Sequence, residues 1–133
     1  MKNNDHNLIE AAKLAAKKAY APYSGYQVGA ALETTDGVVY TGCNVENASY
    51  SLTICAERNA VAQAILNGES NFRAIAIYVD TEILFPPCGA CRQVLSEFTP
   101  GMLVIYANKN GIKKTKLNKL LPDSFQLKNS KKE

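Results

Sequence analysis

The sequence predicts an α/β protein, a three-layer α/β/α sandwich built on a mixed, roughly five-stranded sheet. Three observations carry this expectation. Helical periodicity alternates with short strand-length runs in the order αββαβαβ(β). Ala74 to Val79 and Met102 to Ala107 are apolar almost throughout, as central strands covered on both faces are. Asp36-Gly37 separates two alternating stretches and marks a hairpin.

A first helix is expected over residues 5–20, where Leu8, Ala11, Ala12, Ala15 and Ala19 form a stripe of small side chains suited to close packing on a sheet. Pro22 ends it, and Tyr20 to Tyr26 reads as a loop. Gln27 to Thr34 and Val38 to Cys43 are the hairpin strands, paired antiparallel, and Asn44 to Ser51 is a polar loop. A second helix, Thr53 to Asn67, packs through Ala60, Val61, Ala64 and Ile65 and stops at Gly68. The strand over residues 74–79 follows. Pro86-Pro87 then opens a third helix over Cys88 to Phe98, since proline suits a helix start. Strands over 102–107 and 112–116 flank the Asn110-Gly111 turn, and Leu117 to Leu121 is a short helical piece. Strand–helix–strand crossovers are expected to give a parallel core, with the opening hairpin as an antiparallel edge. The chain divides into one domain, 1–127, and a polar, loose tail, 128–133.

At 133 residues, 47% apolar and 20% charged, the chain has the size and composition of one folded domain. No apolar run reaches membrane-spanning length, so no membrane partner is expected. The N-terminus leads into an amphipathic stretch and not an apolar one, unlike a secretory signal; a cytoplasmic protein is the simplest reading. The net charge of +3 is uneven. After residue 108 eight lysines face only Asp123 and Glu133, a net of +6, which leaves −3 on residues 1–108. A basic end can bind nucleic acid, but no aromatics alternate with these lysines for stacking. A charged edge strand and a solvated tail account for them, so no nucleic-acid partner is expected.

Chemistry concentrates in two short runs, Cys55-Ala56-Glu57-Arg58 and Pro86-Pro87-Cys88-Gly89-Ala90-Cys91. Together they supply three thiols and a carboxylate. Three protein ligands with an open fourth position is the pattern of a catalytic zinc site, whereas structural zinc sites close with four. Cys55, Cys88 and Cys91 are therefore the expected ligands of one zinc ion per chain. Glu57, surplus to coordination and two residues from a ligand, is placed to move protons. The only histidine, His6, sits near the terminus, so the metal must be held by sulfur. Zinc with three thiolates carries −1, and Arg58, three residues after Cys55 on one helical face, is expected to compensate it. Two competing readings are a thioredoxin-like redox pair of Cys88 and Cys91, which leaves Glu57 unexplained, and a closed four-cysteine site that uses Cys43.

The resemblance lies in four blocks and a C-terminal motif, Leu120-Leu121-Pro122-x-x-Phe125. The blocks are Tyr23-Ser24-x-Tyr26-x-Val28-Gly29-Ala30-Ala31, Gly42 to Tyr50, Cys55 to Arg58, and Pro87-Cys88-Gly89-Ala90-Cys91-Arg92-Gln93-Val94-Leu95. In order and spacing the sequence resembles the small, homotetrameric, zinc-dependent cytidine deaminases from about Tyr20 to Phe125. The resemblance implies that Asn44, Val45, Glu46, Tyr26, Ala56 and Phe125 bind substrate. Asn44 and Glu46 would hold ribose hydroxyls, the ring at position 26 would lie against the pyrimidine, and Phe125 would reach a neighbouring subunit's site. Position 26 is Tyr where the family has Phe, so its hydroxyl needs a partner. The implied reaction is hydrolytic deamination of cytidine and deoxycytidine in pyrimidine salvage, with a nucleoside as partner. Rivals are an aminohydrolase of another aminopyrimidine such as blasticidin, a polynucleotide deaminase, and a non-enzymatic zinc module.

Overall fold

A computed structural model describes residues 2–127, with side chains from Asn4 onward; the expected tail, 128–133, lies outside the described residues. The elements are α1 (Lys2–Ala16), β1 (Val28–Thr34), β2 (Val39–Cys43), a 3-10 turn (Tyr50–Leu52), α2 (Ala56–Leu66), β3 (Phe72–Val79), α3 (Gly89–Ser96), β4 (Leu103–Ala107), β5 (Ile112–Lys116) and α4 (Leu117–Leu120). The five strands form one mixed sheet in the order β2-β1-β3-β4-β5. Strand β3 shows why the sheet has helices on both sides. Its Ala74, Ala76 and Tyr78 face Leu8, Ile9, Ala12 and Ala16 of α1. Its Ile75 and Ile77 pack with Ala60, Val61 and Ala64 of α2, Leu95 of α3 and Leu117 of α4. This two-residue alternation of faces gives the expected three layers. Leu32, Ile75, Leu95 and Val104 are fully buried. Each such side chain contributes about 1.5–3 kcal/mol.

The expected parallel pairing is found across the β3–α3–β4 crossover and the opening hairpin is the expected antiparallel edge, but the parallel core goes no further. Only β3 and β4 pair in parallel; β1 pairs antiparallel with both β2 and β3, and β5 antiparallel with β4. Strand β1 inserts between β2 and β3, so the β2–α2–β3 connection steps over a strand. Helix α1 ends at Ala16 instead of residue 20. Tyr20 is drawn off into a bridge with Val45, its N–H donating to Asn44 O at 3.0 Å and its carbonyl accepting from Glu46 N at 2.9 Å. Helix α2 begins at Ala56 instead of Thr53, because Ile54 exchanges two 3.0 Å backbone bonds with Val45. The polar loop after β2 is thus laced to both flanking segments. Ile65, expected in the core, is 44% exposed.

Two glycines let helices approach the sheet closely. A Cβ at Gly29 would lie 1.9 Å from Ala12 O, and one at Gly42 would lie 2.5 Å from both Ala56 O and Ala60 N. Gly42 therefore sets the start of α2 directly against the end of β2. Charged groups pin α1 to the sheet. Arg73 of β3 pairs with Glu33 of β1 and, at 3.1 Å, with Asp5 of α1, which Lys114 of β5 also reaches at 3.0 Å. Hydrogen bonds from Lys114 and Arg73 outweigh burial and hold the Asp5 carboxyl below its usual range.

Candidate active site

The site is built where the starts of α2 and α3 meet. Cys55 is the residue before the first turn of α2, and Cys88 is the residue before the first turn of α3. Neither thiol is spent on capping its helix. Cys91 lies one turn into α3 and is fully buried. The sulfurs of Cys55, Cys88 and Cys91 all lie within 4.8 Å of one another. Zinc–sulfur bonds of about 2.3 Å in a tetrahedron place sulfurs about 3.8 Å apart, so the three thiols fit a zinc ion. Cys43 is not in this cluster. That arrangement stands against the closed four-cysteine site.

Electrostatics sort the thiols. A hydrogen bond from Cys91 overrides burial and, with a smaller contribution from Arg58, brings Cys55 down to about 6. Cys91, the donor, is pushed upward by that same bond and by burial. Arg58 is half-buried, and both its charge and a hydrogen bond act on Cys55. Glu57 is 5% exposed, and burial pushes its carboxyl up to about 7. Such a group passes a proton readily in either direction near neutral pH.

A cavity of ≈ 280 Å³ opens onto Cys55, Ala56 and Glu57. Its other walls are Tyr26, Val28, Asn44, Thr53, Ile77, Val79, Phe85 and Pro86. Tyr26 and Phe85 meet edge to face, with ring centroids 5.8 Å apart. Of the expected site residues, Tyr26, Asn44, Cys55, Ala56 and Glu57 line this cavity. Val45, Glu46 and Phe125 are not among its walls. Asn44 spends its amide on the chain beside Tyr26, Nδ2 donating to Tyr26 O at 2.8 Å and Oδ1 accepting from Val28 N at 2.9 Å. Glu46 Oε1 accepts from Tyr23 N at 2.9 Å and Ser24 N at 3.1 Å, and its Oε2 accepts from Ser24 Oγ. The Ser24 hydroxyl bond outweighs burial and, with these amides, lowers the Glu46 carboxyl. Phe125 is 69% exposed, its carbonyl held by Gln93 Nε2 at 3.0 Å.

Sequence reasoning missed three supports. Asn59 Nδ2 donates to Cys43 O at 2.8 Å and ties α2 to the end of β2. Arg92 donates to Pro87 O at 2.7 Å and Leu120 O at 2.9 Å, fixing the chain just before Cys88. Phe85 supplies an aromatic wall; its one signal is an aromatic residue set directly before Pro86-Pro87-Cys88.

The sequence and fold that carry this carboxyl and these three clustered thiols have matches among known proteins. The family signature described as the cytidine and deoxycytidylate deaminase zinc-binding region matches residues 2–107. The chain belongs to the zinc-binding cytidine deaminase family of hydrolases. A cytidine deaminase of Sporosarcina psychrophila is 48% identical over 120 residues, 89% of this chain and 88% of that protein. One of Mycobacterium tuberculosis is 42% identical over 128 residues, 96% of this chain and 94% of that protein. Among solved structures, the cytidine deaminase of Burkholderia pseudomallei superposes with a TM-score of 0.86 at 52% identity. That match covers 90% of this chain and 98% of the other. Among the described residues, no helix is long and apolar enough to cross a membrane.

Proposed function

We propose that the protein hydrolyses cytidine and deoxycytidine to the uracil nucleosides and ammonia, in pyrimidine salvage in the cytoplasm. The observation that carries this is Glu57, buried and raised to about 7 beside the Cys55–Cys88–Cys91 cluster. Bound by those thiols, a zinc ion would supply a Lewis acid for an attacking water. Glu57 accepts the proton that water loses and delivers it to the ring nitrogen next to the amino-bearing carbon; it then takes the proton of the hydroxyl so added to that carbon and passes it to the departing amine. The water's oxygen becomes the new carbonyl. The apolar walls Val28, Ile77, Val79 and Phe85 keep bulk water from the flat ring.

Asn44 and Glu46 hold the ribose hydroxyls in this reading. A carboxylate offers about four acceptor sites. Three are taken by Tyr23 and Ser24, which leaves one for a sugar hydroxyl. The active form is a homotetramer in which Phe125 enters a neighbour's site and Val45 and Ala56 complete substrate contacts. The 69% exposure of Phe125, a large apolar side chain, supports its being covered by a neighbour. The test is ammonia release from cytidine, deoxycytidine, cytosine and cytidine monophosphate. Turnover of both nucleosides is expected, with little of the free base or the phosphate. No release from cytidine, or the monophosphate as best substrate, overturns the reading.

A further inference from the structure

Tyr26 is a cavity wall that burial does not fix. Its side chain lines the site, yet the residue is 52% exposed, and the ring of Phe85 is set against it edge to face. A half-exposed ring on a loop is oriented by its backbone, and here both polar groups of the Tyr26 backbone are held by side chains. Its carbonyl accepts from Asn44 Nδ2 at 2.8 Å, and its N–H donates to Ser24 Oγ at 3.0 Å. The Ser24 hydroxyl in turn donates to Glu46 Oε2. Gly25, at φ 79°, makes the tight return between Ser24 and Tyr26 that lets the hydroxyl reach back. One hydroxyl therefore works as donor and acceptor at once and joins the Glu46 carboxylate to the Tyr26 peptide.

We propose that Ser24 is a positioning residue that couples sugar recognition by Glu46 to the placement of the Tyr26 ring against the base. The inference rests on the reading of Asn44 and Glu46 given above. Without the hydroxyl, Glu46 keeps its two backbone donors but loses a charge-assisted bond, and the Tyr26 N–H turns to water. The ring then leaves its place at the cavity, and substrate must reorder it on binding. Glu57 and the three cysteines stand on α2 and α3, so the chemical step is spared. The loss falls on KM.

The experiment compares wild type, Ser24→Ala and Ser24→Thr, each with and without Tyr26→Ala. It reads backbone amide exchange at Tyr26 in the ligand-free protein, then kcat and KM for cytidine. Ser24→Ala is expected to speed Tyr26 exchange and to raise KM about ten-fold, the worth of one such hydrogen bond. Its kcat is expected to stay within about two-fold of wild type, since the bond is not made only in the transition state. Ser24→Thr, which keeps the hydroxyl, restores both readings. In the Tyr26→Ala background the Ser24→Ala penalty shrinks to less than about two-fold, because the residue acts through that ring. Unchanged Tyr26 exchange, an unchanged KM, or a full penalty without the Tyr26 ring each overturns the proposal. If wild type releases no ammonia from cytidine, the reading of the activity falls instead, and Tyr26 exchange in the ligand-free protein still decides whether Ser24 holds the ring.

Discussion

Cys55 and Cys88 stand at the same position of two different helices. Each is the residue just before the first helical turn, with extended backbone, Cys55 at φ −72°, ψ 154° and Cys88 at φ −69°, ψ 169°. The unpaired N–H groups and the positive dipole end of a helix favour negative charge there. Two helix starts thus converge on one cluster, and the chain places thiols where thiolates are most easily kept.

Metal content follows from that placement. Cys55→Ser, Cys88→Ser and Cys91→Ser are each expected to lose zinc. Cys43→Ser is expected to retain one ion per chain, because Cys43 lies outside the cluster. Elemental analysis of the four purified variants reads this directly. Loss of zinc from the Cys43 variant would restore the closed four-cysteine site.

Glu57→Gln separates binding from chemistry. The amide keeps the shape and burial of the side chain but cannot carry the proton. Zinc content should remain full while turnover of cytidine drops by on the order of a hundred- to ten-thousand-fold. Activity within a few-fold of wild type, at full zinc, would show that another group moves the proton.

Much of this arrangement was legible from short motifs. Cys55, Glu57, Cys88 and Cys91 stand out because metal chemistry needs those residue types at helix-start spacing. The layer order could be read too, since α2 carries a helical stripe and β3 and β4 are short, almost wholly apolar runs of strand length. Sheet order could not. Nothing in the apolar run from Ala74 to Val79 says that β1 and not β2 lies beside it, because neighbouring strands are chosen by tertiary packing. Helix ends failed for a similar reason. Ala19 has helical propensity, but the bridge from Tyr20 to Val45 takes up the Tyr20 backbone and draws the chain away from the helix. The side chains that brace the site, Asn59 and Arg92, sit in unremarkable helical positions and act on backbone carbonyls remote in sequence.

The close approach at Gly42 offers a test of how the sheet places the site. A methyl group there would meet the α2 backbone at 2.5 Å, and backbone does not yield as a flexible side chain does. Gly42→Ala should cost roughly 1–3 kcal/mol of stability, as overpacking typically does. It should also lower activity by shifting Ala56 and Glu57. Gly111→Ala, where nothing lies within 4 Å, is the control. Thermal melts in which the two variants match would contradict this role for Gly42.

Acid should loosen the grip of α1 on the sheet. The folded-state pKa of Asp5 is depressed below the ordinary 3.8, so the stability it confers is present above that value and is lost as pH falls through the folded one. Glu46, depressed below 4.5, adds to the loss in the same direction. The melting temperature should therefore be insensitive to these groups near neutrality and should fall below about pH 4. Asp5→Asn should be less stable than wild type at pH 7 and show a shallower acid decline. Parallel curves for the two proteins would remove Asp5 from the account.

Arg58 carries the last prediction. Zinc with three thiolates is one charge more negative than neutral, and that excess weakens the ion as a Lewis acid. The site needs a cation nearby. Arg58 lies three residues after Cys55 on α2, and its charge and hydrogen bond both draw Cys55 toward the thiolate. Its guanidinium can donate to sulfur through a planar fork. Arg58→Gln keeps a donor but deletes the charge. Zinc should then be held about 10–100-fold more weakly, the usual effect of losing a group that supports a ligand. The acidic limb of the pH–rate profile should also move up, because a more negative site raises the pKa of the water it activates. Arg58→Lys should fall between, having the charge without the planar fork. Chelator competition gives the affinity and initial rates across pH give the limb. If Arg58→Gln matches wild type in both, the charge at this site is balanced elsewhere.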